Sequence, residues 1–190
     1  LMASTKFDAV FSGRAAHAAK APQQGRDALK GAAAALLGLH ALPRYGDGEN
    51  RIHVGELRGG GARNVVADRA VLRGETRAVT CEMADDLFVR ARDVLEGAAA
   101  MYGLGCRISV VGQAPAAASD ADFAALLAGL ARSLRTEQGR PLFAQVREQT
   151  AMGASDDAAV FMRAVQAAGG KAAYAILGSD LEAGHHAPNF

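Results

Sequence analysis

Polar and apolar residues alternate at every second position through "TKFDAVFSG" (5–13). Phe7, Ala9 and Phe11 fall on one side, so the stretch predicts a half-buried strand. The period then lengthens. In "GRDALKGAAAALLGLHAL" (25–42) apolar residues recur at three- and four-residue steps and stop at Pro43, which predicts a helix. Ile52, Val54 and Leu57 mark a strand in "RIHVGELRGGG" that runs into a glycine triplet. "NVVADRAVLRGETRAV" (64–79) reads as a longer partner strand bent at Ala67-Asp68. "ADDLFVRARDVLEGAAAMYG" (84–103) is a second amphipathic helix with an acidic first turn, as the helix dipole favours, and "CRISVVGQA" (106–114) is a last strand.

Strand, helix, strand, strand, helix, strand is the order of the split βαβ, or ferredoxin-like, arrangement: a four-stranded antiparallel sheet with two helices on one face. This α+β domain is expected over residues 5–115. "GQAPAAASDA" (112–121) then reads as a boundary, with Ser119-Asp120 as the N-cap of a new helix, "DADFAALLAGLARSL" (120–134). "PLFAQVREQ" fits neither period, "SDDAAVFMRAVQAAGG" predicts a helix capped by Ser155 and stopped by Gly169, and "AAYAILGS" (172–179) predicts a buried strand. Helix alternating with apolar strand points to α/β architecture over residues 116–190. So few strands would leave raw sheet edges. The segment is therefore expected to be incomplete, with its other strands supplied by sequence outside this chain, a view that the lack of a Met at position 1 also suggests.

At 190 residues and half hydrophobic, the chain can bury one large core or two modest ones. Lys and Arg number 21 against 20 for Asp and Glu, which argues against nucleic acid or an anionic membrane as partner. No apolar run reaches the ~18 residues that a membrane helix needs, and no signal-peptide pattern opens the chain. Cys81 and Cys106 lie too far apart for a Cys-x-x-Cys clip, and two thiols suit a reducing cytoplasm, the expected location.

Several residues have chemistry to offer. His17 follows a strand in the small-residue loop "GRAAHAAKAPQQG", where an exposed imidazole could donate to a developing oxyanion or equally do nothing. Asn64 follows the glycine triplet, and Arg77 lies near the far end of the same predicted strand. Both suit carboxylate recognition, although a solvated strand position explains Arg77 as well. The triplet has no Lys-Ser/Thr sequel and leads into a strand, so it is not a phosphate loop. His185 and His186 follow the last predicted strand, where an imidazole could ligate zinc or manganese, yet a metal site needs further ligands that the spacing does not supply. Asp156 and Asp157 are explained by a helix first turn, and Met152 and Met162 by core filling.

Four blocks, "FSGRAAHAAKAPQQGRDAL", "GGGARNVVADRAVLRGETR", "GASDDAAVFMRAVQAAGGKAAYAILG" and "EAGHHAPNF", together resemble the metal-dependent aminoacylase/carboxypeptidase amidohydrolases, from about Thr5 to Phe190. The resemblance implies a lid or dimerisation domain of split βαβ topology over 5–115, inserted in an α/β catalytic domain whose returning part is 116–190. It implies two divalent ions, manganese or zinc, in the intact site, and a substrate that is an N-acyl or N-aroyl amino acid. By position, His17 matches a lid histidine that stabilises the oxyanion in the neighbouring subunit's site, Asn64 and Arg77 match lid residues that hold the substrate carboxylate, and His186 matches a metal ligand. His185 and Asp157 are secondary candidates. A homodimer through the lid is implied, and a second subunit type is left open. Because the family's amino-terminal catalytic half is absent from these 190 residues, the chain alone is expected to be inert. The alternative is a dimerisation or binding module without chemistry.

Overall fold

The alternating and helical patterns give β1 (Ala3–Ser12), α1 (Ala28–His40), β2 (Asn50–Gly59), β3 (Arg69–Ala78), α2 (Cys81–Met101), β4 (Gly105–Ala114), α3 (Ala121–Ser133) and α4 (Ala158–Ala167). They are seen in a computed structural model that describes residues 1–188. The chain divides into two compact units, Leu1–Ala117 with Thr150–Phe161, and Ala118–Gln149 with the residues from Met162 onward.

The first unit is a four-stranded sheet in the order β2-β3-β1-β4, every pairing antiparallel. This is the predicted split βαβ arrangement. Phe7, Ala9 and Phe11 of β1 and Ala70 and Leu72 of β3 project from one face and are buried against Ala28, Ala32, Ala35 and Leu39 of α1 and Ala91, Leu95 and Ala99 of α2. The small residues of the helices let them lie close over the two central phenylalanines. Asp27 caps α1, its Oδ1 accepting from the Leu29 amide at 3.1 Å, and Thr80 caps α2, its Oγ1 accepting from the Met83 amide at 3.1 Å. The opposite face of the sheet carries no helix of this unit, and charged side chains rise from it.

Two boundaries differ from the pattern. β3 begins at Arg69, because the five residues before it bond elsewhere: Asn64 O, Asp68 O and Ala67 O accept from the amides of Ala18, Gly13 and Ala28, and the Val66 amide donates to Ala16 O. Hydrogen bonding to the loop after β1 has captured a segment whose composition favours a strand. The second difference is "AAYAILGS", which forms no strand. Within the second unit Ala172 is buried and its amide donates to Asp120 Oδ2 at 2.8 Å, while the Tyr174 amide donates to Ser119 Oγ at 2.9 Å. Beyond them Ile176 and Leu177 are exposed. A strand needs a ladder partner, and none lies beside this segment among the described residues.

Ser119 and Asp120 thus hold the chain after α4 rather than giving α3 a side-chain cap. Before α4, the expected cap Ser155 has a buried hydroxyl with no partner among the described residues, and the neighbouring Asp156 Oδ1 takes the Ala158 amide at 2.8 Å instead. No helix among the described residues is long and apolar enough to cross a membrane.

Candidate functional site

The loop leaving β1 is pinned on both sides. Arg14 and Arg26 exchange backbone hydrogen bonds of 3.0 and 2.9 Å, and His17 bridges to Val65. The His17 ring is fixed by its own turn: Nδ1 accepts from the amides of Ala19 and Lys20, each at 3.2 Å. An accepting Nδ1 puts the proton of the neutral ring on Nε2, so the exposed edge of the imidazole is a donor. Asn64 is held against this loop by its carbonyl, which accepts from the Ala18 amide at 2.9 Å, and its side chain is exposed. Beside them opens a cavity of about 560 Å³, lined by Ala15, the glycine triplet, Val65 and the side chains of Arg58 and Arg69. Gly60, with φ 71°, turns the chain out of β2 at its rim.

Arg77 stands at the other end of the same sheet. Ser12 pairs with Arg69 at the His17 end of β1, whereas Ser4 pairs with Arg77. Arg77 forms a two-point pair with Glu75, Nε to Oε1 at 2.7 Å and Nη2 to Oε2 at 3.0 Å. That hydrogen-bonded pairing holds the Glu75 carboxyl below the ordinary glutamate range, with burial opposing it and the charges of Lys6 and His53 assisting. A smaller cavity of about 300 Å³ lies on the open face between Lys6, Asp8, His53, Arg73 and Glu75. Sequence reasoning joined Asn64 and Arg77 in one task. The structure brings Asn64 to His17 and leaves Arg77 apart.

His186 belongs to the second unit, exposed, with φ at 66° in the left-handed region. His185 is exposed too. Asp157 lies in the first unit and is exposed, its carbonyl accepting from the Val160 amide at 2.9 Å as the turn opening α4. Among the described residues no three His, Cys, Asp or Glu side chains gather as a metal site would require, so these residues do not by themselves fit a metal centre. Cys81 and Cys106 are both thiols. Burial, with a smaller contribution from the Glu96 charge, pushes the Cys106 thiol up.

Arg51 escaped sequence reasoning. It sits on β2 opposite Arg77. The register that brings them together is set across nine residues between β2 and β3, too long a connection for turn chemistry to fix it.

Residues 3–102 match the family model described as a peptidase dimerisation domain, M20_dimer. The chain is 41% identical to an indole-3-acetyl-aspartic acid hydrolase of Enterobacter agglomerans and 38% identical to one of the subunits of p-aminobenzoyl-glutamate hydrolase from Escherichia coli K12, in each case over all of this chain and 42% of the relative. Among solved structures, an aminobenzoyl-glutamate utilization protein from Klebsiella pneumoniae superposes with a TM-score of 0.75 at 40% identity, over 92% of this chain and 43% of that one. The chain therefore spans less than half the length of the relatives it matches.

Proposed function

Because the chain belongs to the M20 peptidase dimerisation-domain family, we propose that it is the lid and part of the catalytic domain of a metal-dependent amidohydrolase that cleaves N-acyl or N-aroyl amino acids such as p-aminobenzoyl-glutamate. The relatives named for conjugates of aspartic acid and glutamate support the substrate class. In this reading residues 5–115 are the lid and 116–190 the catalytic part. His186 contributes one ligand, with His185 beside it in reserve and Asp157 given no chemical task, to a site for two divalent ions, manganese or zinc. The remaining ligands lie in sequence of the kind the longer relatives possess, and the 190 residues alone are inactive.

The observation that carries the reading is the fixed imidazole of His17. Its Nδ1 is occupied by two backbone amides, so Nε2–H is ready to donate to the oxyanion that forms when the amide carbonyl is attacked. No reorganisation of the ring is needed at that moment. Asn64, read with Arg77 as a holder of the substrate's carboxylate, shares this end of the lid. Arg77 receives the substrate's carboxylate at the other end, where its guanidinium is already oriented by Glu75.

His17 is read as acting in a partner subunit's site, and the lids pair along β4. That edge strand exposes Val110 and Val111 and carries a single charged residue, Arg107, whereas the other edge, β2, carries Arg51, His53, Glu56 and Arg58; each edge strand is interrupted by one bulge. The test is complementation between inactive variants of the hydrolase that carries this chain. Each of His17→Ala and His186→Ala should be nearly inactive alone. If the two residues serve one site from different subunits, mixed dimers hold one intact site in two, and a scrambled mixture recovers about a quarter of wild-type activity. No recovery would place both residues in one subunit's site and refute the exchange. A second reading, a pairing module without chemistry, draws on the same bare β4 edge. It predicts full dimerisation and no loss of any activity on His17→Ala.

A further inference from the structure

Arg51 and Arg77 are directly paired across the β2–β3 ladder. Residues so opposed share a face with Cβ atoms about 5 Å apart, and like charges there destabilise the sheet. Their face is the open one, because the neighbouring Asn50, Thr76 and Ala78 are buried on the helix side. Each guanidinium is held independently of the other. Glu75 grips Arg77, while Arg51 donates from Nη2 to Glu49 Oε2 at 3.0 Å and from Nη1 to the Gly153 carbonyl at 3.2 Å. Among the described residues, Nε of Arg51 and Nη1 of Arg77 make no hydrogen bond, and Lys6, opposite Glu75 on β1, brings a third cation to the same end of the face.

We propose that Arg51 determines substrate specificity: Arg77 takes the backbone carboxylate of the bound amino acid and Arg51 takes a second carboxylate on its side chain. The inference rests on the proposed role of Arg77 in carboxylate recognition, and it narrows the substrates to N-acyl derivatives of aspartate and glutamate. The two side chains are rooted at opposed positions and their heads lean apart, Arg51 towards Glu49 and Arg77 towards Glu75, so two carboxylates set two or three carbons apart would draw the two guanidiniums together, and planar forks accept them more specifically than a single ammonium would. Glu49 and Glu75 each offset one guanidinium, and Lys6 leaves this end of the face with an excess of positive charge that favours an anionic substrate.

The test compares p-aminobenzoyl-glutamate with p-aminobenzoyl-glutamine in the hydrolase that carries this chain, the second substrate having the same shape with a neutral side chain. Arg51→Ala should lower kcat/KM for the glutamate substrate by about 10- to 100-fold, mostly through KM, and that for the glutamine substrate by less than about 3-fold. Arg51→Lys should recover part of the loss. Arg77→Ala should impair both substrates. If Arg51→Ala weakened both equally or neither, while Arg77→Ala still impaired both, Arg51 would not be the side-chain reader and the role of Arg77 would survive. If Arg77→Ala left both unchanged, or the wild-type enzyme turned over neither compound, carboxylate recognition at this face would fail and the role of Arg51 with it.

Discussion

Replacing Gly13 by alanine should loosen the loop that carries His17. The glycine lies where β1 passes into that loop, and a Cβ built on it would stand 2.0 Å from the Arg26 carbonyl oxygen. That is well over an ångström inside ordinary contact, and the obstacle is backbone, which cannot swing aside as a side chain can. Relief requires moving Gly13 away from Arg26, which breaks the Arg14–Arg26 pair at 3.0 and 2.9 Å and pulls the Gly13 amide from Asp68 O, before β3, at 2.7 Å. Losing these three hydrogen bonds, each contributing about 0.5–1.5 kcal/mol, gives a destabilisation of about 2–4 kcal/mol. In urea the unfolding midpoint should fall by about 1–4 M for a slope of roughly 1–2 kcal/mol/M. Faster hydrogen exchange at the Arg14 and Arg26 amides would locate the damage. Gly61→Ala is the control, since nothing lies within 4 Å of the Cβ it would add, and its unfolding free energy should match wild type within about 0.5 kcal/mol. A Gly13→Ala protein as stable as the control would refute the close approach on which the placement of His17 depends.

Four further outcomes follow from single contacts. Thr76 buries a hydroxyl with no partner among the described residues, so Thr76→Val should raise the urea-unfolding free energy by about 1 kcal/mol, and a loss would mean that the hydroxyl is satisfied. Glu75 has a folded-state pKa depressed below its unfolded value by Arg77, so the stability it contributes is present above the ordinary glutamate pKa and lost as pH falls through the lower folded value. Glu75→Gln should therefore flatten the acid side of the stability profile, and an unchanged profile would contradict the pairing. Cys106, whose thiol is pushed up by burial and by Glu96, should react with a thiol reagent at pH 8 more slowly than a small free thiol, and Glu96→Gln should speed it. Placing a charge on the bare edge, Val111→Lys, should shift the proposed dimer to monomer in light scattering, whereas Val89→Lys on the outer side of α2 should not.

The split βαβ order was readable because each element's period matched its surroundings. Phe7, Ala9 and Phe11 alternate on a strand with one buried face, and the alanines of α1 recur at the spacing that meets them. Reading failed where tertiary hydrogen bonding overrode local preference. "NVVAD" has strand composition, yet its carbonyls are taken by the loop after β1 and by the first residue of α1, and "AAYAILGS" has strand composition without a neighbour to pair with among the described residues. Of the candidate residues, His17 is placed in a loop by its neighbours, as the structure has it, whereas Asn64 reads as part of a strand that begins only at Arg69. The opposition of Arg51 and Arg77 depends on register, which no local pattern records.

The placement of His17 and Arg77 constrains how both could serve hydrolysis. From Arg69, which pairs beside the His17 loop, to Arg77, the strand advances eight residues, roughly 26 Å at the rise of an extended chain. An N-acyl amino acid is about half that length, so its carboxylate cannot rest on Arg77 while its scissile carbonyl rests on His17 of the same lid. If both residues touch substrate, they touch different substrate molecules, and each site draws on two copies of the sheet. This is the geometry that a lid paired along the less charged β4 edge would provide. In the proposed reading dimerisation then has a chemical role: an Arg77-bearing lid would bind, and the His17 of the partner lid would stabilise the transition state. Separating the dimer by Val111→Lys should then abolish turnover as thoroughly as His17→Ala, while weak binding of the carboxylate to each monomer persists. A monomeric Val111→Lys enzyme with near-normal kcat would show that one lid suffices, and the division of labour between the two ends of the sheet would have to be abandoned.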